Sequence, residues 1–161
     1  APRKYLKILK EVHVEDQNSY ATISPSDHLS VDMEIKFDNK TIASQKYEFS
    51  EEKKSFKYNI ARARTFGFEH EGTLLKKMGL AKGASLENAI VLRGEEILND
   101  NGLRYKDEFV RHKLLDLIGD VYLAGSSLKG HIKTFKPGHT INNKLLHSIL
   151  ADKSAWEMSC D

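Results

Sequence analysis

Apolar and polar positions alternate through the first third of the chain. Residues 5–14 (YLKILKEVHV) are rich in apolar and β-branched side chains with partial alternation, and residues 19–23, 29–37 and 45–49 repeat the pattern. That period predicts strands with one buried face. The cluster Ser24-Pro25-Ser26-Asp27 and the pair Asp38-Asn39 predict turns between them. Ser50 followed by Glu51-Glu52 predicts a helix N-cap with acids in the first turn, and that helix is expected to run through Phe56 and Ile60 to about Ala63.

Residues 67–103 have a different texture. A short helix over 73–78 ends at Gly79, a strand covers 89–93, and Asp100-Asn101-Gly102 marks a turn. These elements predict a small β-α-β insertion. The strongest helical pattern follows over 107–124 and stops at Gly125. A strand over 128–135, a break at Pro137-Gly138 and a last helix over 139–150 complete the chain. Strands and helices mixed in this order predict an α+β fold, a layered sheet-and-helix domain. We expect one domain over 1–161, with 67–103 as its insertion. No short-period repeat or low-complexity segment interrupts it.

Composition narrows the function classes. The 161 residues carry 40% hydrophobic and 30% charged side chains, an ordinary soluble balance. The 25 basic and 23 acidic residues leave a net charge of +2, too even to argue for nucleic acid. A basic pocket for one phosphorylated ligand is compatible with it. The single cysteine, Cys160, excludes an internal disulfide. No run has the length of a membrane span, and the first residues lack the apolar core of a signal peptide. A cytoplasmic protein is expected. The chain starts Ala1-Pro2-Arg3 rather than with Met, as a processed start or a fragment of a longer protein does.

Chemistry concentrates on the long helix. On a helical wheel Val110, Leu114, Leu117, Ile118, Val121 and Tyr122 cover one broad arc, while His112, Lys113, Asp116 and Asp120 gather on another. His112 and Asp116 are four apart, so their side chains can converge. Such a pair serves either as a solvated ion pair or as two ligands of zinc, and spacing leaves both open. Asp120, one turn further, can orient a neighbouring base or ligand. Lys136-Pro137-Gly138-His139 opens the last helix, where unpaired N–H groups favour anions. His139 there is either an acid catalyst or an exposed turn residue. Arg62-Ala63-Arg64-Thr65-Phe66-Gly67-Phe68 combines cations, a hydroxyl and aromatics after a helix. It is either a binding segment or a helix end with cations complementing the dipole. Glu69-His70-Glu71 imitates a metal motif, but its place in the insertion favours a charged loop. His13, His28, His131 and His147 have no evident partners in the sequence and are assigned to structure or surface.

Taken in order, several segments resemble one family. They are Arg62-Ala63-Arg64-Thr65-Phe66-Gly67-Phe68, Gly79-Leu80, Gly83, Ser85 and Asn88-Ala89-Ile90-Val91. Further along come Leu103-Arg104, Asp107-Glu108-Phe109-Val110-Arg111-His112-Lys113, Asp116, Gly119-Asp120, Gly138-His139 and Asn142-Asn143-Lys144-Leu145-Leu146. Together, from about Ile60 to Trp156, they resemble the C-terminal domain of the UDP-3-O-acyl-N-acetylglucosamine deacetylases. That resemblance implies a zinc-dependent hydrolase of lipid A (lipopolysaccharide) biosynthesis in the cytoplasm of Gram-negative bacteria. It implies removal of the N-acetyl group from UDP-3-O-(3-hydroxyacyl)-N-acetylglucosamine. His112 and Asp116 would be zinc ligands. His139 would protonate the leaving amine or stabilise the oxyanion, held by Asp120, and Thr65 would hydrogen-bond the oxyanion. Lys113 would contact sugar or phosphate, and Lys136 the UDP phosphates. Phe37 and Phe66 would contact substrate, Phe37 by stacking on uracil. The segment 67–103 would form a passage for the acyl chain, with Ala89 and Val91 lining it.

The resemblance also implies a shortfall. The family's first domain supplies a third zinc ligand, a histidine, and the general-base glutamate, and nothing here matches that segment. The partners expected are therefore the UDP-linked sugar and an N-terminal domain, with a monomer as the assembly and no nucleic acid. The expected activity belongs to the two-domain protein, and this chain alone is expected to be inactive. A non-catalytic nucleotide-sugar or partner-binding module of the same fold is the alternative. A nucleic-acid-binding α+β domain rests on fold analogy only.

Overall fold

The computed structural model describes residues 2–79 and 82–160. Leu80, of the Gly79-Leu80 pair, lies outside them. The alternating first third folds as β1 (Lys4–Ile8), β2 (Val12–Asp16), β3 (Ser19–Ser24), β4 (Ser30–Lys36) and β5 (Ser44–Ser50). After α1 (Phe56–Asn59) come β6 (Thr65–Phe68), α2 (Glu69–Lys77), β7 (Ala89–Arg93) and β8 (Glu96–Ile97). The last part comprises α3 (Glu108–Val121), β9 (Ser127–Lys129), β10 (His131–Phe135), α4 (His139–Ala151) and β11 (Trp156–Cys160). Helices and sheets are mixed as an α+β fold requires.

The main sheet has the order β2-β3-β10-β4-β5, with β10 parallel to β4 and antiparallel to β3. Alternate positions, among them Val14, Ile23, Val31, Met33, Ile35, Phe49 and Ile132, bury one face. That face carries the helices: α4 packs on β2 and β3, α3 on β4 and β5, and the two helices touch. The opposite face carries polar side chains, as the row His13, Thr22, Lys133, Asp32 and Glu48 across the five strands shows. The apolar arc of α3 is buried through Val110, Leu114, Leu117, Ile118 and Val121. Tyr122, expected in that arc, instead starts a 3-10 turn after α3 and stands half exposed.

Two strands expected to be continuous are each split between sheets. Residues 5–14 divide into β1 and β2, and residues 128–135 divide into β9 and β10. β1 and β9 join a small sheet of order β11-β1-β9. The second split falls at Gly130, where a Cβ would stand 2.9 Å from Ile8 Cγ1 and 3.0 Å from Ile23 Cδ1. The chain crosses there at a distance only glycine permits.

The helix expected from Ser50 to about Ala63 does not form. Ser50 ends β5, and its carbonyl accepts the amides of Lys53 and Lys54 in a turn. Glu51, expected in the first helical turn, instead accepts the amide of Leu29 at 2.9 Å. Only α1 remains helical.

Strand β6 runs parallel to β7 and β7 antiparallel to β8, with α2 packed against β6 and β7. Register places Thr65 beside Ala89 and Gly67 beside Val91. Buried Asn99 stitches β7 in place: it accepts from Val91 N–H and donates to the carbonyls of Ala89 and Leu86. The base of this unit is held by Glu108, fully buried at the start of α3. Its carboxylate accepts the backbone N–H, Nε and Nη2 of Arg64 and the backbone N–H of Arg104. Both ends of the unit are thereby fixed to α3.

Candidate functional site

The second and third turns of α3 project His112 and Asp116 from one side, as i, i+4 spacing requires. The Nδ1–H of His112 donates to the carbonyl of Ala63 at 3.1 Å, which leaves Nε2 as the nitrogen free for a metal. Nε2 lies 3.3 Å from Asp116 Oδ1, and both side chains are largely buried. Two donors on one tetrahedral ion, each about 2.0–2.1 Å from it, stand roughly 3.3 Å apart. The pair thus fits a shared divalent ion, with Ala63 fixing the tautomer. Among the described residues no cluster of three or more His, Cys, Asp or Glu side chains forms a metal site.

One turn further along α3, Asp120 meets the start of α4. Its Oδ2 accepts Nδ1–H of His139 at 2.7 Å and Nδ2–H of Asn142 at 2.9 Å. The His139 side chain is 67% exposed while Asp120 is only 17% exposed. The exposed ring is therefore anchored by one nitrogen on a sheltered carboxylate.

His112, Lys113, Asp116, Thr65, Phe66 and Phe37 line one cavity of about 210 Å³, together with Gly67, Phe68 and Glu71. Phe37, Phe66 and Phe109 contact edge to face in series, with ring centroids 5.5 and 5.0 Å apart. Lys113 Nζ sits 5.9 Å from the Phe66 ring centre, a long cation–π contact that holds the ammonium at the cavity. Lys136 lines an adjoining hollow of about 380 Å³ with Ser19, Lys36, Phe37 and Asp38. Phe37 borders both spaces. Lys136 has φ of 50°, a left-handed conformation. Its N–H donates to the Glu34 carbonyl and its own carbonyl accepts from Ser19 Oγ, at 2.8 Å each. Ala89 and Val91 border neither space; Ala89 is buried and Val91 half-buried in β7.

Other sequence expectations are corrected. Glu69-His70-Glu71 is the first turn of α2 rather than a loop. Glu69 pairs bidentately with Arg93, and those hydrogen bonds hold its carboxyl below the ordinary range. Three histidines thought to lack partners have them. His13 bonds Thr22 and Glu15, His28 pairs with Glu52, and His131 bridges Ser30 and Asp32. Arg64 is neither a dipole complement nor a free cation, since Glu108 engages it.

Glu108, Asn99 and Asn142 are polar residues whose roles sequence reasoning missed. Burial alone would raise the Glu108 pKa. The hydrogen bonds from the Arg64 side chain and from the Arg64 and Arg104 backbone outweigh it and hold the carboxyl below its usual range. The sequence signal for Asn142 was its place three residues after His139, on the same side of α4.

The family model described as UDP-3-O-acyl N-acetylglycosamine deacetylase matches residues 1–151. Two relatives named UDP-3-O-acyl-N-acetylglucosamine deacetylase come from Francisella tularensis subsp. tularensis and subsp. holarctica. Each is 49% identical over 161 aligned positions, covering 96% of this chain and 54% of the relative. The chain thus spans about half the length of these relatives.

Proposed function

The chain belongs to the UDP-3-O-acyl N-acetylglycosamine deacetylase family, and from that premise we propose that it supplies about half of a zinc-dependent deacetylase site. The substrate is UDP-3-O-(3-hydroxyacyl)-N-acetylglucosamine of lipid A biosynthesis, and the reaction hydrolyses its acetamide. The observation that carries this reading is a pair of imidazole–carboxylate contacts whose acids stand one turn apart on α3, His112 with Asp116 and His139 of α4 with Asp120. A binding module has no need of a metal pair beside an anchored acid.

His112 Nε2 and Asp116 would hold the ion, and a further domain would add a third ligand and the general base. Bound there, zinc would supply a lowered pKa for water and polarisation of the amide carbonyl. The chain's own groups do the rest. Thr65, exposed at the cavity, donates its hydroxyl proton to the oxygen that gains charge as water adds to the carbonyl carbon. His139 keeps Nδ1–H on Asp120 and gives its Nε2 proton to the nitrogen as the C–N bond breaks. Acetate and the free amine leave, and the neutral ring takes a proton back from solvent. Asp120 stabilises the imidazolium without itself being protonated. Lys113 faces the sugar or phosphate and Lys136 the diphosphate, with Phe66 against the substrate. Phe37, bordering both spaces, offers its ring to the uracil. The unit from β6 to β8 forms the acyl passage, with Ala89 and Val91 in its wall.

The test uses the full-length protein. Asp116→Ala is expected to lose zinc and turnover together. His139→Ala should keep zinc and its fold while kcat falls about 10²–10⁴-fold. Turnover surviving both changes would remove the assignment.

A further inference from the structure

We propose that Asn142 is a positioning residue, whose side-chain amide fixes Asp120 so that the His139 ring is held for proton transfer. This rests on the deacetylase reading above. Asn142 lies in the first full turn of α4, three residues after His139, and is fully buried. Its Nδ2–H meets the same oxygen, Asp120 Oδ2, that accepts Nδ1–H of His139. One carboxylate oxygen thus receives two donors from one helix face.

The setting of the amide is apolar. Asn142 Oδ1 is buried and has no hydrogen-bond partner among the described residues. The flanking Ile141 and Leu145 are buried, so a purely apolar α3–α4 contact would call for leucine here. The side-chain bond that asparagine makes instead, among the described residues, is the one to Asp120. Without it the carboxylate is free to turn about its own side-chain bonds, and His139, mostly exposed, loses the anchor that aims it. With it, α3 and α4 set the ring as a rigid pair, as supporting hydrogen bonds do for catalytic groups elsewhere.

The experiment compares Asn142→Leu and Asn142→Ser in the full-length enzyme, each alone and combined with Asp120→Ala. We expect kcat to fall about 10–100-fold in both single variants with KM little changed. The melting temperature of Asn142→Leu should fall only by the worth of the one lost bond to Asp120, so the test of positioning is the loss of kcat and its dependence on Asp120. In the Asp120→Ala background the same change should alter kcat less than about twofold, because its route of action is gone. The smaller serine covers the case in which leucine fails to fold. A kcat within about twofold of wild type in both variants, or losses that multiply with Asp120→Ala, would overturn the proposal. Should the wild type hydrolyse no acetamide, the deacetylase reading falls separately. The ¹⁵N-resolved Nδ1–H resonance of His139 then decides the positioning claim: loss in Asn142→Leu upholds it, and an unchanged signal ends it.

Discussion

At the scale of single residues, the strained backbone of Lys136 makes the sharpest prediction. A left-handed conformation costs an L-residue about 1–2 kcal/mol. Glycine would relieve that strain, offset by about 0.5–1 kcal/mol of its own extra chain freedom. Lys136→Gly should therefore leave the melting temperature equal or higher. If the ammonium meets the diphosphate, the KM for the nucleotide sugar should rise about tenfold, the worth of one charged hydrogen bond. A fall in stability with unchanged KM would assign Lys136 to the turn alone. Its conformation was not legible beforehand. Lys-Pro-Gly spells a break, but the positive φ comes from two tertiary bonds, to Glu34 and Ser19, on strands far away in the sequence.

At the scale of elements, Glu108 ties the unit from β6 to β8 onto α3, and its titration should be visible in the fold. Its folded pKa is depressed, so its contribution is complete above the ordinary carboxylate pKa of about 4.3 and drains away as pH falls through the lower folded value. Glu108→Gln should lower the melting temperature at neutral pH and flatten the acid limb of its pH dependence. Thermal melts from pH 7 to pH 3 check both. Strand and helix placement was largely legible, because β3, β4, β5, β7, α3 and α4 follow their own hydrophobic period. What stayed hidden depends on distant partners. Gly130 divides a run that looks continuous, since Ile8 and Ile23 crowd it from other strands. The Ser50 cap signal failed because Glu51 found Leu29 instead. His112 with Asp116 was legible as spacing; that Ala63 fixes the tautomer was not.

At the scale of the whole molecule, the proposed ligand set is divided between this chain and the rest of the protein. Two donors on one helix turn hold zinc weakly, and three with a sheltered site hold it firmly. In competition with a chromophoric chelator, this chain alone should surrender zinc readily, and the full-length protein should retain about one ion per molecule. Equal retention by both would place the complete ligand set within these 161 residues. The fold suits such sharing. The helices carry the site on the same side of the sheet, and the far side bears polar rows such as His13 to Glu48 that need no cover.

The small sheet can close only late in synthesis. Lys4 pairs with Cys160 and Ile8 with Trp156, so β1 is flanked on one side by a strand made far later in synthesis. Until β11 has been made, one border of β1 is raw, able to recruit a stray strand from another nascent copy. Contacts this remote in sequence also slow the search for the native state. Truncation just before Trp156 should thus leave a product that clumps during expression.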